Sequence, residues 1–64
     1  MIIITEITPD DESQDKLINS NLILKIEKTD EDSYGNSIIY FQKNKLEIHV
    51  NETLDELNNL INNE

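Results

Sequence analysis

Ser37-Ile38-Ile39-Tyr40-Phe41-Gln42-Lys43-Asn44-Lys45-Leu46-Glu47-Ile48-His49-Val50 decides how this chain folds. Leu46, Ile48 and Val50 alternate with Lys45, Glu47 and His49, the two-residue period of a strand with one dry and one wet face. Ile38–Gln42 is β-branched and aromatic, which also favours a strand. Lys43 and Asn44 lie between them, and Asn tolerates the positive φ of a two-residue hairpin turn. With those two as the loop, Phe41 opposes Leu46, Ile39 opposes Ile48 and Ser37 opposes Val50. Cross-strand partners share a face, so this register sets apolar against apolar. A slip of one residue would set Phe41 and Ile39 against Lys45 and Glu47.

Past Val50 the period lengthens. Leu54, Leu57, Leu60 and Ile61 fall on one stripe of a helix. Thr53-Leu54-Asp55-Glu56 fits a capping box, and Glu52, Asp55 and Glu56 bring negative charge to the positive end of the helix dipole. A helix of about ten residues does not persist alone in water. It is expected to dock on the Ile39/Phe41/Leu46/Ile48 face.

Working back towards the start, Met1–Thr8 reads as a strand with Ile2 and Ile4 on one side and Ile3 and Ile7 on the other. Pro9 ends it, and Pro9–Lys16 reads as a solvated acidic loop. Leu17–Lys28 holds the next strand: after a turn or bulge at Asn19-Ser20-Asn21, the alternation predicts Leu22, Leu24 and Ile26 facing the core, with Ile23 on the opposite side. Gly35-Asn36 supplies a tight turn after the polar stretch from Thr29. The expected fold is α+β, a single domain over residues 1–64 in the order β-β-β-β-α. Its four-stranded, mostly antiparallel sheet is either open or curled into a small partly closed barrel, and the C-terminal helix packs on it.

Fourteen Asp and Glu against five Lys and no Arg give a formal net charge of −9. Nucleic-acid binding needs a positive field, so no direct contact with nucleic acid is expected. The longest apolar run, Met1–Ile4, is too short to enter a membrane, and no membrane insertion is expected. Cysteine is absent, which removes disulfides and thiolate metal sites. The expected location is cytoplasmic, or within a larger intracellular or virion assembly.

No set of residues in the sequence meets the requirements of catalysis or metal binding. Asp10, Asp11, Glu12 and Asp15 are acidic, but nothing in their spacing imposes ligand geometry. Asp30-Glu31-Asp32-Ser33-Tyr34-Gly35 opens like a calcium loop, yet Tyr34 stands at its fifth place and Phe41 at its twelfth, where oxygen ligands are required. His49 is the one histidine and is predicted on the wet face opposite Ile38, without a nucleophile placed beside it. The reading is a non-enzyme with no catalytic residue, no metal and no cofactor.

The informative feature is isoleucine on both sides of the strands. Ile3, Ile7, Ile23, Ile38 and Tyr40 are predicted on the face away from the helix, and a soluble monomer rarely leaves such a patch bare. Barrel closure, a second copy or a different protein could cover it. The expected function is a small protein-interaction module or accessory structural subunit of bacterial or phage origin, bound to a protein partner or to itself. The alternative is an acidic mimic of DNA that inhibits a nucleic-acid-binding protein, presenting Asp10, Asp11, Glu12, Asp30, Glu31 and Asp32 in place of phosphates.

Ile18-Asn19-Ser20-Asn21-Leu22-Ile23-Leu24-Lys25-Ile26-Glu27 is similar to the Asn-x-x-Leu-Ile-x-x-Ile-Glu segment of the small FlbD/SwrD-type flagellar and swarming accessory proteins. Val50-Asn51-Glu52-Thr53-Leu54-Asp55-Glu56-Leu57 resembles that family's ending, and the opening Ile-Ile-Ile-Thr-Glu-Ile also fits. The acidic Pro9–Lys16 stretch departs from the pattern, as does Lys43-Asn44 where the family has Asn-Gly. The resemblance implies a non-catalytic role in a protein assembly and supplies no site residues.

Overall fold

A computed structural model describes all 64 residues. Five strands and one helix follow in the order β1 (Ile2–Ile7), β2 (Ser13–Ile18), β3 (Ile23–Lys28), β4 (Ser37–Phe41), β5 (Glu47–Val50) and α1 (Leu54–Asn62), with a 3₁₀ turn at Ser20–Leu22. The strands form one antiparallel sheet in the order β2-β1-β5-β4-β3. It is not closed: β2 and β3 remain its two edges. The fold class is the expected α+β, but the sheet has five strands rather than four.

The hairpin β4–β5 has the register its sequence predicts, with Ser37 opposite Val50, Ile38 opposite His49 and Ile39 opposite Ile48. The Phe41 N–H donates to the Leu46 carbonyl at 2.9 Å and closes the loop. The turn itself differs. Asn44 and Lys45, not Lys43 and Asn44, carry the left-handed backbone, with φ of 64° and 50°. Leu46 also departs from expectation, because the loop lifts it out of the core into solvent.

The extra strand is β2. Ser13–Lys16 were expected in a loop because no apolar alternation marks them, yet they pair residue for residue with β1, from Ile7 opposite Ser13 to Ile2 opposite Ile18. The reversal is held at Thr8, whose N–H donates to the Glu12 carbonyl (2.9 Å) and whose Oγ1 accepts from the Glu12 N–H (3.1 Å). Asp11 supplies the positive φ, 64°, that the turn needs.

A bulge resets β3. Ile23 pairs with Phe41 and Lys25 with Tyr40, so Leu24 is the unmatched residue. The alternation therefore changes phase. Ile23 and Ile26 pack on the core, while Leu22 and Leu24 are exposed. This reverses the predicted facing of Ile23, Leu22 and Leu24, and only Ile26 lies as expected.

The core is Ile2, Ile4, Ile39, Ile48, Val50 and Leu57, with Ile18, Ile23, Ile26, Phe41 and Ile61 packed around it. Burying each such side chain stabilises by about 1.5–3 kcal/mol. Leu57 is the residue by which α1 enters this core. The helix starts with both halves of its capping box made: the Glu56 N–H donates to Thr53 Oγ1 at 3.2 Å, and the Thr53 N–H donates to Glu56 Oε1 at 3.0 Å. Ser37, buried opposite Val50, donates its hydroxyl to the Glu52 carbonyl at 2.8 Å and so ties β4 to the approach of α1.

Candidate protein-binding surface

Of the five residues predicted to share the outer face, Ile3, Ile7, Ile38 and Tyr40 lie on it and Ile23 does not. Ile23 lies inward, against the core. Ile38 stands beside His49, and the ladder that sets Glu6 opposite Val50 brings Ile7 to the other flank of His49. Tyr40 lies opposite Glu47 on the same face. Ile3 is remote from these, at the far end of β1.

Much of this outer face is covered by the chain itself. The β3–β4 connection folds back so that the Tyr34 ring stacks on His49, centroids 3.9 Å apart and planes within 20°. His49 is therefore half-buried rather than solvated. Its Nδ1 lies 2.9 Å from the Tyr34 carbonyl, which can only accept, so Nδ1 carries the proton. Gly35 makes this return possible. Its φ is 75°, and a Cβ there would stand 2.8 Å from the Val50 carbonyl oxygen. One strand over, Lys25 Nζ sits 4.7 Å from the centre of the Tyr40 ring. Desolvation, then the carboxylate of Glu27, raise the Tyr40 phenol above its ordinary pKa. Tyr34 and Phe41, the residues that break the calcium-loop pattern, are thus engaged in stacking and in core packing.

Besides Leu24 and Leu46, large apolar side chains are bare on β1 and β2. Ile3 and Leu17 are direct cross-strand partners on β1 and β2, and they are 62% and 63% exposed. Met1 is exposed beside them. Sequence reading found Ile3 but missed Leu17, since it put Ser13–Lys16 in a loop and Leu17 at the start of the following strand. The signal that could have found it is the apolar pair Leu17-Ile18 directly after the polar run.

Between the opening of β1 and the helix runs a groove of about 660 Å³, lined by Met1, Ile3 and Leu60 and by the carboxylates of Glu52, Glu56 and Glu64. Glu64 accepts from the Met1 amino group at 2.7 Å and from Ser20 Oγ at 2.5 Å. Those two donors hold its carboxyl below the usual glutamate range.

The acidic clusters do not meet. Asp10, Asp11 and Glu12 form the β1–β2 turn, while Asp30, Glu31 and Asp32 lie in the β3–β4 connection. The strand register places these connections at opposite ends of the sheet. Phosphates in DNA form a continuous track, which this separation does not reproduce.

The fold and surface define a small acidic α+β domain with an open antiparallel sheet. No protein family, characterised protein or solved structure matches this chain. No helix is long and apolar enough to cross a membrane.

Proposed function

We propose that the protein is a small non-catalytic interaction module, an accessory subunit of a larger protein assembly such as a flagellar or phage structure. The supporting observation is the exposed pair Ile3 and Leu17. Two large aliphatic side chains, adjacent across a ladder and more than 60% exposed, are the start of an interface rather than scattered surface residues. On the same face of the sheet Tyr34 stacks on His49 and Lys25 sits over Tyr40, and neither cover reaches Ile3 and Leu17.

The test compares the protein with a Leu17→Asp variant, each purified from the cells that produce it and weighed by light scattering. Leu17 is outside the core, so the variant should melt with the parent. The expected result is a stoichiometric complex, with another protein or with itself, that the variant loses. A parent that remains a free monomer, or a complex that Leu17→Asp leaves intact, would overturn the reading.

A further inference from the structure

We propose that the groove between β1 and α1 receives an extended basic segment of a partner protein, which pairs with the backbone of Ile3. This rests on the interaction-module reading and gives it a site and a partner chemistry. The first ground is an unfinished ladder. Thr5 turns its polar backbone away from β2: its N–H donates to Glu52 Oε1 at 2.9 Å, and its carbonyl accepts from the Asn51 N–H at 2.8 Å. Strand alternation puts the N–H and carbonyl of Ile3 on that same side, one pleat further along. By then β5 has ended at Val50. Glu52 already closes Thr5 with a side chain; on that side no strand pairs with Ile3 and no side chain bonds its backbone. An incoming strand would supply both missing bonds, as in β-strand addition.

The second ground is the lining. Met1, Ile3 and Leu60 offer apolar contact for alternate side chains of such a segment, and Glu52, Glu56 and Glu64 form an acidic rim. The five lysines lie at 16, 25, 28, 43 and 45, and none of them lines the groove. The only cation there is the Met1 amino group held by Glu64. A second copy of this chain would bring a further charge of −9 to an acidic rim, so charge complementarity selects a foreign, basic partner. The sheet's outer edges are less suited. β2 offers Ser13, Gln14, Asp15 and Lys16, and β3 carries Lys25, Glu27 and Lys28, the charged dressing that keeps free edges unpaired.

The experiment titrates the whole protein with a blocked peptide, Lys-Val-Lys-Ile-Arg-Val, followed by backbone amide shifts and hydrogen exchange. The expected result is that shifts centre on Ile3, Thr5 and Leu60. The Ile3 amide, which no strand pairs in the free protein, should gain at least about tenfold protection at saturation. Affinity should fall as salt rises from about 0.01 to 0.15 M, where the screening length drops from roughly 30 to 8 Å. Leu60→Lys, a partly exposed helix position, should weaken binding by about tenfold or more while melting with the parent. Shifts confined to Leu24, Tyr40 and Leu46, no shifts at all, or equal binding of Glu-Val-Glu-Ile-Glu-Val would each overturn the groove proposal. Should the peptide fail while Leu17→Asp still abolishes a native complex, the interaction module stands and only this site falls.

Discussion

The hairpins β4–β5 and β1–β2 share an antiparallel ladder and little else. In β4–β5 the side chains do the specifying: Ile39, Ile48 and Val50 are buried, and any slip in register would expose them. In β1–β2 only one strand contributes to the core. Ile2 and Ile4 are buried, but β2 is exposed from Ser13 to Leu17 and only Ile18 packs inward. What holds β2 is the backbone of β1, helped by the ion pair from Lys16 Nζ to Glu6 at 2.6 Å. One hairpin is fixed by what it buries, the other by what it is bonded to. That difference leaves Ile3 and Leu17 available to a partner.

The largest test of this contrast sets Ile39→Ala against Leu17→Ala. Ile39 is fully buried among Ile4, Ile48, Val50 and Leu57, so its truncation should cost about 2–5 kcal/mol. In a domain this small such a loss approaches the whole stability, and the variant should be largely unfolded in a denaturant titration. Leu17→Ala should stay within about 0.5 kcal/mol of the parent. Similar losses at both positions would break the comparison.

Gly35→Ala probes the entry to β4. The new methyl would meet the Val50 carbonyl at 2.8 Å, and the backbone there is left-handed. The expected cost is more than about 1 kcal/mol, read as a lower melting temperature. It should come with loss of the Tyr34–His49 stack, visible in the ring proton shifts of His49. A neutral substitution would mean that the β3–β4 connection is not anchored on β5.

β2 is tested by separating its side chains from its backbone. Lys16→Ala removes an exposed ion pair and should cost less than about 1 kcal/mol. Lys16→Pro also removes the N–H that the ladder turns towards Ile4, and should cost about 1–3 kcal/mol more. Urea midpoints of the two variants measure the difference. Equal midpoints would show that the ladder contributes little, and that side-chain contacts hold β2.

Sequence pattern reached those parts of the fold where burial and alternation coincide. Ile39, Ile48 and Val50 revealed a register, and Thr53 with Glu56 revealed the cap of α1. It failed where the backbone decides. Ser13-Gln14-Asp15-Lys16 has no apolar face, because an edge strand exposed on both faces needs none. Leu22, Ile23, Leu24 and Ile26 alternate convincingly until a bulge at Leu24, which the side chains do not announce, inverts their sense. The candidate site suffered from both errors. Leu17 was assigned to the strand that follows instead of to β2, Ile23 was assigned outward by the unbroken alternation, and the groove depends on where β5 stops relative to β1. Only Ile3 was visible from both levels.

The smallest effect concerns the turn that joins the well-specified pair. Asn44 and Lys45 both adopt positive φ, 64° and 50°. Asn accepts that conformation readily, whereas for Lys the left-handed region costs roughly 1–2 kcal/mol. Glycine would remove the steric cost but loses more backbone entropy on folding, an offset of roughly 0.5–1 kcal/mol. Lys45→Gly should therefore stabilise by up to about 1 kcal/mol, and it would create the Asn-Gly pair that favours a left-handed hairpin turn. A raised melting temperature, with the shifts of Ile39 and Ile48 unchanged, is the expected result. A lowered one would mean that Lys45 contributes a contact that outweighs its backbone conformation, and that side chains specify this hairpin even in its loop.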